Sequence, residues 1–253
     1  MASLTADPPA LVPLGDRAWT IAWDSDIDIQ VNMKVMSLAN AVHDAVHQGD
    51  LHGITDVVPA FCALTVFYDP EQVDANDLKR ILERLVRATS PAPTSVRQWR
   101  LPVCFDAAWA PDLADLAAFA GMTEPQVCDT IVQTTLRCHA MGFLPGFAYL
   151  ASLPPALHMP RLATPRTHVP AQTLAVAAGM AAVYPTVSPG GWSLIGQMPV
   201  PLFDARDAVS PALLSPGDDV SFYAVSSTEC EEITQALMQD PASRWRYASG
   251  VAP

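Results

Sequence analysis

Apolar and polar side chains alternate over Ala18-Trp-Thr-Ile-Ala-Trp23 as in a half-buried strand. The period then changes. Over residues 28–47, Ile29, Met33, Met36, Leu38, Val42 and Val46 recur at mostly helical spacing, with Asp26 or Asp28 placed to cap the start and Gly49 to end the helix. Residues 54–58 and 61–68 read as two strands parted by Pro59-Ala60. Residues 74–87 read as a helix carrying Leu78, Ile81, Leu82, Leu85 and Val86 on one face, and residues 96–103 as a further strand. The order β-α-β-β-α-β predicts a ferredoxin-like α/β domain over residues 10–94, ending in the linker Pro91-Ala-Pro93, with residues 1–9 as a loose leader.

Past the linker, proline and glycine become frequent and helices short, with candidates at 111–120 and 124–134. Strand-like stretches at 135–141, 174–178, 182–184, 192–195 and 220–225 are parted by turns, the pattern of a β-barrel or sandwich. The second domain is expected over 95–227. Residues 229–238 form a C-terminal helix and 241–253 a tail, so that 228–253 stand apart and the chain as a whole is α+β.

Three runs break the generic texture: Gly142-Phe-Leu-Pro-Gly-Phe147, Thr164-Pro-Arg-Thr-His-Val-Pro-Ala171 and Tyr184-Pro-Thr-Val-Ser-Pro-Gly-Gly-Trp192. Pro145-Gly146 and Pro189-Gly190 each set a residue of fixed φ before one that tolerates φ > 0, as in a type II turn. Phe143, Phe147, Tyr149, Tyr184 and Trp192 flank them, so the turns read either as the lip of a pocket or as hairpin punctuation.

Composition narrows the partners. Asp and Glu number 26 against 14 Lys and Arg, for a formal net charge of -12, which repels phosphate backbones and anionic lipid and excludes nucleic acid. The most apolar run, 174–183, is far short of the roughly 20 residues that span a bilayer, and no basic segment leads an apolar N-terminal stretch. The expectation is a cytoplasmic protein away from membranes. The 5 cysteines are odd in number and lack Cys-x-x-Cys spacing, arguing against a disulfide framework and a zinc site. His43 and His47 lie four apart on a helix without a third ligand, so no metal is expected.

Arg166, between Pro165 and Pro170, carries a guanidinium suited to gripping a carboxylate or phosphate; the alternative is a surface arginine paired with a nearby Asp. Gly190 and Gly191 could offer backbone N–H groups to an anion or a carbonyl oxygen, or simply form a tight turn packed by Trp192. His168 is a candidate proton carrier, though with no identified carboxylate partner. The catalytic candidates are thus Arg166 and His168. The substrate-binding candidates are Phe143, Gly146, Phe147, Arg166, Pro170, Ser188, Gly190, Gly191 and Trp192. Ser188 has no evident base, so a covalent serine mechanism is not indicated.

The runs 141–150, 163–171, Tyr184-Pro185, 188–192, 194–196 and Pro199-Val-Pro-Leu-Phe-Asp204, with Leu14-Gly-Asp16, Val58-Pro59 and Pro216-Gly-Asp218, resemble the family of the 5-oxoprolinase B-type subunit, allophanate hydrolase subunit 1 and a sporulation histidine-kinase inhibitor. The resemblance implies a cyclophilin-like β-barrel for the second domain. It also implies a heteromeric amidohydrolase acting with a carboxyltransferase-like partner (the family's C-type or type-2 subunit) on a small carboxylate-bearing amide, and it admits ATP as a co-substrate of the complex, with no prosthetic group. Allophanate hydrolysis and a regulatory module gripping a protein segment are the alternatives. Several positions depart from the family's usual residues: Gln172-Thr173 for Gly-Ser, apolar residues over 178–182, Gln197-Met198 for Arg-Thr, Ile131 for His and His139 for Tyr. These departures point to an altered substrate or to lost catalysis.

Overall fold

The computed structural model describes residues 8–24, 27–90 and 97–249; Asp26 and the Pro91-Ala-Pro93 linker lie outside the described residues. The chain divides into two compact units, Met1–Thr94 and Ser95–Pro253.

The first unit is an antiparallel sheet with two helices packed on it. Its elements are β1 (Ala10–Pro13), β2 (Ala18–Ala22), α1 (Ile29–His47), β3 (Ile54–Ala60), β4 (Ala63–Tyr68) and α2 (Ala75–Ala88), with strands in the order β1-β2-β4-β3. Asp28 caps α1 by accepting from the Val31 N–H at 2.9 Å, and Asp74 caps α2 through the Asn76 and Asp77 amides. Trp19 and Ile21 on β2 and Leu64 and Val66 on β4 share one face, and meet Val35, Leu38 and Val42 of α1 and Leu78 and Leu82 of α2. The chain order here is β-β-α-β-β-α. The strand expected to complete this unit belongs to the second, and β1 takes the place beside β2 instead.

The second unit holds β5 (Gln98–Val103), α3 (Leu113–Ala120), α4 (Glu124–Gln133), β6 (Leu136–Met141), β7 (Ala148–Ala151), β8 (Arg166–Val169), β9 (Thr173–Ala177), β10 (Met180–Val183), β11 (Ser188–Gly190), β12 (Ser193–Gln197), β13 (Asp219–Ala224), α5 (Ser227–Gln239) and β14 (Ala248–Ser249). Its strands run β14-β5-β13-β6-β7-β10-β9-β12, parallel at β5/β13 and antiparallel elsewhere, with β8 and β11 as a separate pair.

The expected cyclophilin-like barrel is therefore corrected: among the described residues no sheet closes. Closure needs the two outermost strands to pair along a ladder. Here β14 occupies the outer edge of β5, and the β12 end meets the chain after β5 only at the single bridge Cys104–Gln197, with both N–H···O distances 2.8 Å. Many short strands and frequent turns are common to open and closed sheets, so the pattern alone did not decide. The C-terminal tail is also more structured than expected. Residues Pro241–Tyr247 form a 3-10 helix that buries Arg244 and Tyr247, and β14 follows.

A buried carboxylate organises the β5/β13 region. Asp218 accepts from the Trp99 indole and the Ser215 amide, both at 2.9 Å, with Arg97 at 3.4 Å. Burial raises its pKa, while those three donors pull it back. None of the five cysteines is joined in a disulfide. Burial pushes the Cys128 and Cys230 thiols up to about 11, far from a reactive thiolate. No helix among the described residues is long and apolar enough to cross a membrane.

Asp218→Ala leaves the buried Trp99 indole and the part-buried Ser215 amide without an acceptor, at about 1–3 kcal/mol for the indole and less for the amide. Chemical denaturation is expected to show a loss of that size; an unchanged midpoint would contradict the role given to this carboxylate.

Candidate functional site

The β6–β7 hairpin carries the first of the three unusual runs. Phe147 N–H donates to the Leu144 carbonyl at 3.0 Å and Gly146 has φ +80°, so Pro145-Gly146 forms the turn expected from its sequence. A Cβ at Gly146 would lie 2.7 Å from Cβ of Phe203, which adds a steric reason for glycine. Phe143 also adopts a left-handed conformation, φ +69°, at a strain of about 1–3 kcal/mol for a bulky residue. It stays 60% exposed while its ring sets an edge contact on Phe147, with centroids 5.3 Å apart.

Pro189-Gly190 differs from expectation. It is part of strand β11, paired with β8, and Gly190 has no positive φ. Glycine is required there for closeness, since a Cβ would fall on the Tyr184 hydroxyl. Phe147 lies at the centre of the resulting aromatic group, with Tyr149 at 4.9 Å, Tyr184 at 5.4 Å and Trp192 at 6.1 Å, all edge-on. Phe143, Phe147, Tyr149, Tyr184 and Trp192 wall a cavity of about 250 Å³, completed by Arg161, Leu162, Pro165, Pro189, Gly190 and Gly191.

The two arginines near this cavity have different tasks. Arg166, on β8, does not line it: its Nη2 donates to Asp112 Oδ1 at 2.6 Å and its Nη1 to the Trp192 carbonyl at 3.4 Å. Asp112 is buried just before α3, and its other oxygen accepts from the Leu194 amide at 2.6 Å. Arg166 thus neutralises a buried carboxylate. Arg161 lines the cavity instead, its guanidinium 5.6 Å from the centre of the Trp192 ring. It is exposed, and no carboxylate of the described residues holds it in an ion pair. The sequence reading missed it, although it too stands between prolines, Pro160 and Pro165, in a chain with few cations.

Of the other candidates, Gly146 is buried within its turn and does not line the cavity, and Pro170 and His168 are exposed outside it. Ser188 is buried on β11 with its Oγ unpaired, away from the lining. The Gly191 carbonyl accepts from the Leu162 amide at 2.8 Å, which holds the Arg161 segment against the wall. The positions that depart from the family's usual residues are also off the cavity. Ile131, Ala181 and Met198 belong to the unit's hydrophobic core, and Gln172 has φ +66° in a turn, a conformation that glycine adopts without strain.

Residues 9–214 match the model of a family described as carboxyltransferase domain, subdomain C and D. The chain is 31% identical over 227 residues to the 5-oxoprolinase B-type subunit from Bacillus subtilis (strain 168), covering 85% of this chain and 92% of that protein. It is 33% identical over 219 residues to the corresponding 5-oxoprolinase protein from Escherichia coli O157:H7, covering 86% and 96%. Among solved structures it is similar to TTHA0988, with TM-score 0.72 and 32% identity over 83% of this chain; it spans only 40% of that longer one.

Arg166→Ala strands the Asp112 carboxylate in a largely buried position, at about 1–3 kcal/mol. Denaturant unfolding should show a lower midpoint with unchanged slope. A wild-type midpoint in this variant would mean that Asp112 does not depend on the arginine.

Proposed function

The chain belongs to the family of the 5-oxoprolinase B-type subunit, and from that membership we propose that it is one subunit of a heteromeric hydrolase acting on a small carboxylate-bearing amide of the 5-oxoproline type. The observation that carries the reading is the cavity: aromatic walls around one guanidinium free of any ion pair among the described residues. At about 250 Å³ it falls just short of the roughly 300–1,000 Å³ usual for ligand pockets, suited to a small metabolite rather than to a drug-sized molecule. In a chain of net charge -12, a carboxylate needs a local cation to enter, and Arg161 can hold it through two parallel hydrogen bonds. The rings favour a cyclic amide with an apolar methylene edge over allophanate, which is planar and polar throughout. The departures from the family's usual residues leave this lining untouched, which supports a retained small ligand.

Among the described residues the lining carries no carboxylate, imidazole, thiol or aliphatic hydroxyl, so it binds and orients without supplying a nucleophile or a strong base. In this reading the remaining chemistry comes from a second, carboxyltransferase-like subunit. A single guanidinium does not make a triphosphate cradle, so ATP, as co-substrate, is handled by the complex and not by this cavity.

Co-expression with the carboxyltransferase-like subunit, followed by calorimetric titration of the purified pair with 5-oxoproline, tests the reading. Wild-type binding is expected, and Arg161→Ala should weaken it by about 1–3 kcal/mol, roughly 5- to 150-fold, without lowering stability. Two proteins that elute separately would remove the partner. A pair that binds neither 5-oxoproline nor other small cyclic or ureido acids would sink the substrate class and favour a cleft that grips a protein segment.

A further inference from the structure

We propose that Tyr184 recognises the amide of the ligand, its hydroxyl donating a hydrogen bond to the carbonyl oxygen while Arg161 holds the carboxylate. The proposal rests on the small-amide reading above and adds the group that separates an amide from any other ring-bearing acid.

Tyr184 is fixed from both ends. Its N–H donates to the Thr173 carbonyl at 3.0 Å and its carbonyl accepts from the Gln172 amide at 2.6 Å, as the chain leaves β10. The ring packs edge-on against Phe147 and the residue is only 2% exposed, yet it lines the cavity. Its hydroxyl occupies the space that a Cβ on Gly190 would take, so the fold keeps a glycine on β11 where the phenol reaches past the backbone. A phenol has one O–H to give, and that proton is available to a ligand in the cavity. Burial raises the pKa; the nearby Arg161 and the Trp192 backbone, which faces the phenol oxygen closely enough to favour its charged form, lower it less, so the phenol keeps its proton at neutral pH, as a donor must. The neighbouring Arg161 and Arg166 cations polarise the O–H and strengthen it as a donor.

The chemistry that follows is modest and specific. A carbonyl oxygen gains negative charge as water or a partner's nucleophile adds to its carbon, and a donor placed at that oxygen stabilises the addition. Tyr184 would act in binding and again, more strongly, in that step.

The test compares two ligands on the purified subunit pair: 5-oxoproline and cyclopentanecarboxylate, which keeps the five-membered ring and the carboxylate but has no amide. The wild-type pair is expected to prefer 5-oxoproline. Tyr184→Phe keeps the ring and its packing, and should lower 5-oxoproline affinity about 5- to 50-fold while leaving cyclopentanecarboxylate within about 2-fold. Unchanged binding of the second ligand also shows that the variant is folded. Gly190→Ala, which displaces the hydroxyl without removing it, should reproduce the same selective loss. An undiminished preference for 5-oxoproline in Tyr184→Phe overturns this proposal and leaves the small-amide reading standing. A wild-type pair that binds neither ligand overturns that reading, and this proposal with it.

Discussion

A carboxylate taken out of water must be paired, and the pairing of Asp112 sets much of the second unit's geometry. One oxygen takes the Arg166 guanidinium from β8, and the other takes the Leu194 amide from β12. The Asp112 N–H closes the link by donating to the Leu194 carbonyl at 3.0 Å. The start of α3, the β8/β11 pair and β12 are thereby tied at one point, two residues from Trp192. The same pairing decides the electrostatics of the cavity. It commits Arg166 to the scaffold, and among the described residues the cation left to face a ligand in the cavity is Arg161.

Around that anchor the cavity is built by exclusion. Gly190 leaves room for the Tyr184 hydroxyl, Gly146 lets the turn press on Leu202 and Phe203, and Phe143 accepts a left-handed backbone to reach Phe147. Rigid rings then supply most of the wall, and the few polar groups on it become the source of selectivity. A cavity of this kind grips and orients well but lacks a nucleophile. That explains physically why such a chain would work as part of a larger complex.

Much of this was legible in the sequence. Helical periodicity places α1 and α2, with Asp28 one of the two caps expected for α1, and Pro145-Gly146 gives its turn. The three unusual runs each contribute lining residues to one cavity. What was not legible depends on contacts distant along the chain. Arg166 looks like the ligand's cation until Asp112, 54 residues away, is seen to hold it. Pro189-Gly190 has the residues of a turn, but its glycine is there because of Tyr184. The departures over 178–182 and at Ile131 and Met198 look like lost polar contacts, yet Ala181, Ile131 and Met198 face a hydrophobic core. Strand count and turn spacing could not say whether a sheet closes, because that depended on β14 covering β5 and on a single bridge at Cys104.

The central claim is that Arg161, and not Arg166, meets the ligand in an aromatic cavity. A crystal structure of the subunit pair soaked with 5-oxoproline tests it most directly. The account predicts the carboxylate paired with the Arg161 guanidinium and the ring lying against Trp192 and Phe147, with the Arg166–Asp112 pair intact. A ligand that breaks that pair to reach Arg166, or that binds elsewhere and leaves the cavity empty, would contradict it.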